Sequence, residues 1–116
     1  MDSARKSVRA SHLLVKHRDS RRPSSWKEDN ITRTKEDAHK QILAFRHDLL
    51  SGKAAFADLA SRESHCSSAR RGGDLGEFGP GQMQKPFEDA TYALKVDELS
   101  EPVFTDSGVH LILRTK

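Results

Sequence analysis

The chain has little apolar material and no long apolar run. Hydrophobic residues make up 34% of its 116 residues, aromatic residues only 6%, and the mean hydropathy is -0.74. No stretch is long and apolar enough to span a bilayer, and residues 1–6 lack the apolar core of a signal peptide. Asp2 follows Met1 where N-myristoylation requires glycine, and the C-terminus has no cysteine for prenylation. We therefore expect a protein with no membrane partner.

The chain also has a single cysteine and a small net charge. The one cysteine, Cys66, excludes an internal disulfide framework and is typical of a reducing compartment, so we expect cytoplasmic and/or nuclear localisation. Lys and Arg number 20 against 17 Asp and Glu, a formal net charge of +3. This basic excess is local and does not predict a specific nucleic-acid partner. A chain of 116 residues has room for one domain with a modest core, and we expect a monomer.

The first third of the sequence predicts a strand and a long loop. Residues 8–16 alternate in character and are rich in β-branched residues and leucine, which is typical of a strand, with Ala10, His12 and Leu14 on one face. Residues 18–34 are polar, basic and without a period. They predict a loop, and loops of this length in compact domains tend to be functional.

Helices and a hairpin are expected after this loop. Thr34 is a candidate N-cap for a long helix, and a shorter helix is indicated around residues 55–60. A short strand at residues 75–78 and a helix with Pro86 in its first turn follow. Residues 102–114 form two runs separated by a turn, which is typical of a hairpin. This order predicts an α+β fold, with helices packed around a small, mainly antiparallel sheet.

A cluster of cations lies at the end of the predicted strand and in the loop. Arg21 and Arg22 are adjacent and offer forked donors that suit a phosphate, and Lys16 adds a point charge. Each charge-assisted hydrogen bond is worth about 1.5–3 kcal/mol when partly shielded from water. The same run also fits a solvated loop, or a weak patch for nucleic acid or a targeting receptor.

The histidines and the cysteine leave two interpretations open. The six histidines lack the spacing of known metal sites, so we expect neither a metal nor a cofactor. His12 and His110 fall in separate predicted strands, where they are either ordinary hydrogen-bonded groups or a buried pair beneath a site. Cys66 is either a small buried residue or a thiol whose pKa is tuned by its neighbours. A cysteine protease would need a paired base that the sequence does not show.

The glycine-rich segment at residues 72–81 does not predict a nucleotide site. Gly76 and Gly81 have P-loop spacing, but Gln82 and Met83 follow where lysine and serine or threonine are required. We interpret these glycines as positions for tight turns and close backbone approach. Three apolar residues near the segment are either ordinary core or an adaptable apolar surface: Leu75, Met83 and Phe87.

Seven ordered runs carry a resemblance to a known family. They are residues 11–17 (SHLLVKH), 20–26 (SRRPSSW), 31–35 (ITRTK), 66–69 (CSSA), 73–76 (GDLG), 81–88 (GQMQKPFE) and 103–110 (VFTDSGVH). Together they resemble the parvulin-type peptidyl-prolyl cis-trans isomerases, in the subfamily directed to phosphoserine or phosphothreonine before proline. The resemblance implies a parvulin (FKBP-like) fold, a four-stranded antiparallel sheet surrounded by helices, over residues 7–116. Residues 1–6 would be a short N-terminal extension.

The resemblance also implies roles for individual residues. The phosphate-binding cations would be Lys16, Arg21 and Arg22. The pocket for the proline ring would be formed by Leu75, Met83 and Phe87. The polar network around the rotating bond would contain Cys66, His12, His110, Ser107 and Thr105, and Gln84 would lie near the substrate backbone. The implied partners are proteins that contain phosphorylated Ser/Thr-Pro, and no cofactor or metal is implied.

His65 departs from the family pattern. Close relatives usually have an acidic residue before the cysteine, and a histidine there changes the electric field at Cys66. Many relatives also carry an N-terminal tryptophan-rich (WW) module, and we expect the catalytic domain without it here. The activity expected is noncovalent catalysis of bond rotation, with Cys66 tuning the electrostatics rather than attacking the carbonyl. The alternative is a phosphopeptide-binding module with little turnover.

Overall fold

The computed structural model describes residues 6–116, and the expected N-terminal extension lies largely outside them. The elements are β1 (Val8–Val15), α1 (Lys35–Leu50), α2 (Phe56–Glu63), a 3-10 helix (Ser67–Arg71), β2 (Asp74–Phe78), α3 (Lys85–Ala93), β3 (Val103–Thr105) and β4 (Gly108–Arg114). The α+β order predicted from the sequence is confirmed. Among the described residues no helix is both long and apolar enough to cross a bilayer.

The four strands form one antiparallel sheet in the order β2-β1-β4-β3. The central strands, β1 and β4, are covered on both faces. On one face, Leu13 and Val15 pack with Leu111 against buried residues of α1 and α2. On the other face, Ala10 and Ile112 pack against Phe87 of α3 and Phe78 of β2. The sheet is therefore enclosed by helices, and the face toward α3 also carries His12 and His110.

The first helix begins where the sequence predicts. Thr34 has extended backbone angles, and its side-chain oxygen accepts the backbone N–H of Asp37 at 3.1 Å. Acidic residues in the first turn complement the positive end of the helix dipole. Ala38 and Ile42 are fully buried against the sheet, and burial of the Ile42 side chain is worth about 1.5–3 kcal/mol.

The basic loop, residues 17–34, has neither helix nor strand but is held at several points. Its two ends meet where the backbone N–H of Arg18 donates to Arg33 O at 2.8 Å. The backbone N–H of Arg21 donates to Asp106 O, at the turn between β3 and β4. Ile31 is 2% exposed and anchors the loop in the protein interior. The cations of the loop are therefore presented on an ordered backbone.

Gly73 fixes the approach of the glycine-rich segment to β1. The backbone N–H of His12 donates to Gly73 O at 2.9 Å. Gly73 has a φ of +89°, and a Cβ at this position would lie 2.5 Å from the carbonyl oxygen of His12. Only glycine allows both this backbone conformation and this contact.

Candidate active site

Two buried histidines form a hydrogen-bonded pair on the sheet face toward α3. The Nδ1 atoms of His12 and His110 lie 2.9 Å apart, and His110 Nε2 lies 2.7 Å from Thr105 Oγ1. Burial and the neighbouring charge of His12 hold the pKa of His110 well below its ordinary value of 6.5, so this ring is neutral. Of the two interpretations that the sequence leaves open for these histidines, the structure favours the pair.

A continuous chain of hydrogen bonds links Thr105 to the two histidines. Thr105 Oγ1 accepts the backbone N–H of Ser107 and shares a hydrogen with His110 Nε2. The next hydrogen is shared between the Nδ1 atoms of His110 and His12, so Nε2 is the nitrogen of His12 that remains for Cys66. That nitrogen is buried, and the side chain of Cys66 is the group that it faces. This chain of hydrogen bonds therefore orients His12 toward Cys66.

Cys66 lies immediately before the 3-10 helix and caps it. Its Sγ accepts the backbone N–H of Ser68 at 3.5 Å. Burial raises the pKa of the thiol, but His12 and Ser68 outweigh burial and lower the pKa of Cys66 to about 6. At pH 7 most of the population is therefore thiolate. The residue supplies a negative charge to the site.

An apolar cavity adjoins the histidine pair. Its volume is about 250 Å³, and its wall contains all three residues expected for the proline pocket together with both histidines. The lining residues are His12, Leu75, Gln82, Met83, Gln84, Phe87, Ser107 and His110. Gln84 bridges to the β3–β4 turn, because its Nε2 donates to Ser107 Oγ at 2.9 Å and its Oε1 accepts the backbone N–H of Asp106.

A second, polar cavity joins Cys66 to part of the cation cluster. It measures about 440 Å³ and is lined by Lys16, Arg22, Cys66 and Ser107, among others. Lys16 Nζ donates to Ser24 O at 2.8 Å. Burial, and then the charge of Arg22, lower the pKa of Lys16, so the two cations repel each other across this cavity. An anion placed there would relieve the repulsion.

Arg21 lies apart from the other two expected phosphate ligands. It lines a different cavity, of about 520 Å³, with His17, Lys35 and Asp106. The sequence places Arg21 and Arg22 side by side, but the irregular backbone of the loop directs their side chains into different cavities. The structure therefore brings together Lys16 and Arg22 with Cys66 and does not include Arg21 in that group.

Several residues at the site were not predicted to belong to it. Trp26 donates from Nε1 to the carbonyl oxygens of Ser64 and Cys66, at 2.9 and 3.2 Å. Glu28 contacts the ring of His65. The only sequence signal was the placement of these residues in a long loop without a period, and that signal does not show which segment the loop contacts. Residues 6–116 contain no cluster of three or more His, Cys, Asp or Glu side chains that could hold a metal ion.

The geometry defines a class of protein. Ser107 lines both the apolar and the cationic cavity, so an extended peptide can place a ring in one and an anionic group in the other while its backbone crosses Ser107 and Cys66. Among residues 6–116 no cluster of His, Cys, Asp or Glu offers the metal centre of a metallohydrolase. Fold and site together define a small α+β domain with two adjoining cavities that suit an extended peptide.

Comparison with known proteins establishes the family. The model of the rotamase family, the PPIC-type PPIase domain, matches residues 12–116, and the chain belongs to this family of peptidyl-prolyl cis-trans isomerases. The chain is 65% identical to peptidyl-prolyl cis-trans isomerase pin1 of Rhizopus delemar, over 93% of this chain and 72% of that protein. It is 57% identical to peptidyl-prolyl cis-trans isomerase Pin1 of Arabidopsis thaliana, over 97% of this chain and 98% of that protein.

Solved structures agree with the fold. The peptidyl-prolyl isomerase ESS1 from Candida albicans superposes with a TM-score of 0.93 at 48% identity, over 95% of this chain and 63% of that chain. The predicted parvulin fold, with its four-stranded antiparallel sheet and surrounding helices, is thereby confirmed, and so is the class of enzyme.

Proposed function

We propose that the protein catalyses cis-trans isomerisation of phosphoserine–proline and phosphothreonine–proline bonds in client proteins. The observation that supports this most directly is the position of Ser107, in the wall of both cavities. One cavity suits a proline ring and the other presents Lys16 and Arg22 to a phosphate. The relatives named Pin1 are prolyl isomerases by name, in agreement with this assignment. The partners are therefore phosphorylated peptide segments of other proteins.

Catalysis requires rotation about the amide bond and no bond cleavage. The barrier is about 18–20 kcal/mol because the planar amide is stabilised by resonance that places negative charge on the carbonyl oxygen. Twisting removes that charge separation. The Cys66 thiolate would disfavour the charge-separated planar form, while the two cavities hold the groups on either side of the bond. Such differential stabilisation of the twisted form lowers the barrier without covalent attack.

The histidine pair serves this chemistry indirectly. His110 and Thr105 fix the ring orientation of His12, and His12 in turn lowers the pKa of Cys66. Gln84 holds the Ser107 hydroxyl at the junction of the two cavities. These residues therefore act as a preorganised polar frame around the rotating bond.

Exchange NMR on matched Thr-Pro peptides, phosphorylated and unphosphorylated, tests the proposal. We expect the protein to accelerate exchange between cis and trans resonances of the phosphorylated peptide and to have a much weaker effect on the unphosphorylated one. Binding of the phosphorylated peptide without acceleration would support the alternative, a binding module. Equal acceleration of both peptides would show that the enzyme does not select phosphate.

A further inference from the structure

His65 is bonded at both of its ring nitrogens. The side chain is 3% exposed, its Nδ1 accepts the backbone N–H of Lys16 at 2.9 Å, and its Nε2 lies 2.8 Å from Glu28 Oε1. A ring nitrogen that accepts a hydrogen bond carries no hydrogen. Neutral His65 therefore has its proton on Nε2 and donates it to the carboxylate of Glu28.

Arg33 closes these bonds into a ring. Its Nη2 lies 2.5 Å from Glu28 Oε1, and its Nη1 donates to the backbone carbonyl of Lys16 at 3.1 Å. The backbone N–H and C=O of Lys16 are therefore both held, one by His65 and the other by Arg33. We call this closed set, formed by Lys16, Glu28, Arg33 and His65, the clamp ring. It joins the end of β1, the basic loop and the segment that carries Cys66.

Neighbouring contacts reinforce the same junction. The backbone N–H of His65 donates to Leu14 O at 2.7 Å. Trp26 donates to the carbonyl oxygens of the residues on either side of His65. An acidic residue at position 65 could not donate to Glu28 and would be repelled by it. The clamp ring therefore depends on the combination of His65 with Glu28.

We propose that His65 is a positioning residue for phosphate recognition: its neutral form closes the clamp ring and holds Lys16 at the cationic cavity, and its protonation opens the ring. This inference rests on the proposed function. A protonated imidazole carries a hydrogen on Nδ1 as well, which would point at the backbone N–H of Lys16. Two donors cannot bond, so the contact between His65 and Lys16 would be lost.

The charged groups around His65 set the pH at which this occurs. Burial lowers the pKa of His65, the carboxylate of Glu28 raises it, and the cations Arg33 and Lys27 lower it, with a net direction below the ordinary value of 6.5. The other titratable or charged groups that line the cavity beside His65 are Lys16, Arg22 and Cys66. The ring is therefore closed at pH 7 and opens as the pH falls below the lowered pKa of His65.

A measurement of the tautomer of His65 tests the clamp ring directly and does not require catalytic activity. Long-range proton–nitrogen correlation NMR on the wild-type protein at pH 7 should show His65 neutral with its proton on Nε2. A proton on Nδ1, or a charged ring at pH 7, would overturn the proposal. Because this measurement does not depend on catalysis, it remains decisive even if the protein proves to be a binding module.

Variants test the positioning role. In His65→Asn the amide oxygen can still accept the Lys16 N–H, but no donor reaches Glu28. We expect KM for a phosphorylated Thr-Pro peptide to rise about tenfold, the equivalent of about 1.4 kcal/mol, with kcat and the activity on an unphosphorylated Ala-Pro peptide nearly unchanged. Glu28→Gln, which keeps an acceptor oxygen, should have a smaller effect. Exposed His47 supplies the matched control, His47→Asn, with no change expected.

Two outcomes would contradict the positioning role. An equal fall in kcat for both peptides would mean that His65 acts on Cys66 or on the fold rather than through Lys16. An unchanged KM in both Glu28→Gln and His65→Asn would mean that the ring does not hold Lys16.

The pH dependence separates the titration of His65 from that of other groups. The phosphate titrates in wild type and in His65→Asn alike, so its effect cancels in the ratio of the two kcat/KM values, and the titration of Cys66, measured in each protein by thiolate absorbance, is divided out. We expect the wild-type advantage to shrink toward unity as the pH falls below the lowered pKa of His65, followed from pH 7.5 to the lowest pH at which both proteins remain folded. A ratio that is constant across this range would contradict the proposed opening. If the wild-type protein does not accelerate cis-trans exchange, the proposed function is wrong. The tautomer measurement on His65 would still show whether the clamp ring is closed.

Discussion

The ring of Phe87 meets the imidazole of His110 edge-on, with centroids 5.1 Å apart and planes at 70°. The same phenyl ring stands edge-on to His12, at 5.5 Å. The floor of the apolar cavity and the histidine pair are thus one packed unit, and a change in one is transmitted to the other.

Truncation of Phe87 should therefore damage both stability and activity. Phe87 is 4% exposed, and Phe87→Ala is expected to lower the free energy of unfolding by about 3–5 kcal/mol. Urea titration measures the stability, and exchange NMR measures the activity. Phe104 is 39% exposed, so Phe104→Ala is the control, with a loss below about 1 kcal/mol. A similar loss in both variants would show that Phe87 does not anchor the core.

The Cys66 thiol should titrate with a pKa of about 6. Thiolate absorbance at 240 nm, or the pH dependence of alkylation by iodoacetamide, measures this value. Because His12 contributes to the low pKa, we expect His12→Gln to raise it toward the ordinary value of 9.0. A titration near 9.0 in the wild type would rule out a thiolate at pH 7.

The two adjacent arginines should contribute unequally to phosphate selection. Arg22 shares a cavity with Lys16 and Cys66, whereas Arg21 lines another. Loss of a charge-assisted hydrogen bond costs about 1.5–3 kcal/mol, so Arg22→Ala should reduce the preference for phosphorylated over unphosphorylated peptide roughly 10- to 100-fold. We expect the effect of Arg21→Ala to be clearly smaller. The ratio of kcat/KM for the two peptides is the measurement, and equal effects would contradict the split seen in the structure.

Two glycines with positive φ should differ in their tolerance of alanine. A Cβ at Gly73 would lie 2.5 Å from the His12 carbonyl oxygen, whereas a Cβ at Gly76 would meet no atom within 4 Å. Gly76→Ala carries only the backbone cost of about 1–2 kcal/mol. Gly73→Ala should cost more and should shift the NMR signals of the His12 ring. Thermal unfolding measures the stability of the two variants. Equal stabilities would contradict this prediction.

The protein should lose stability on mild acidification. Burial lowers the pKa of both His110 and His65, so below pH 6.5 the unfolded chain binds protons that the folded chain does not. Stability is therefore lost as the pH falls, by up to about 1.4 kcal/mol per pH unit for each ring. Urea titrations between pH 7.5 and 5 measure this, and the Cys66→Ser background removes the parallel contribution of the thiol. A flat profile would mean that the rings are protonated in the folded protein.

Local patterns in the sequence predicted the elements well. The Thr34 cap, the strand alternation around His12 and the proline in the first turn of α3 each depend on neighbours in the chain, so they could be recognised without the structure. The membership of the apolar cavity came from the family resemblance, because Leu75 and Phe87 have no local feature that separates a pocket from a core. The sequence alone did not show which residues, distant in the chain, meet in space.

The clamp ring shows why. Glu28 and His65 are 37 residues apart, and the contact depends on how a loop without a period lies across the sheet. His65 was recognised as unusual, but its partner was not. The separation of Arg21 from Arg22 was missed for a related reason, since side-chain direction in an irregular loop follows from backbone angles that no periodicity encodes. The 3-10 helix that Cys66 caps was likewise not predicted.

The alternation of β1 has a consequence for insertions and deletions. Leu13 and Val15 face the helices α1 and α2, while His12 and Leu14 face the site. Volume-conserving substitutions at Leu13 or Val15 would alter one face and leave the other intact. A single inserted or deleted residue within this strand would exchange the two faces, placing leucine where the imidazole belongs and polar groups in the core. The strand therefore tolerates changes of residue far better than any change of length.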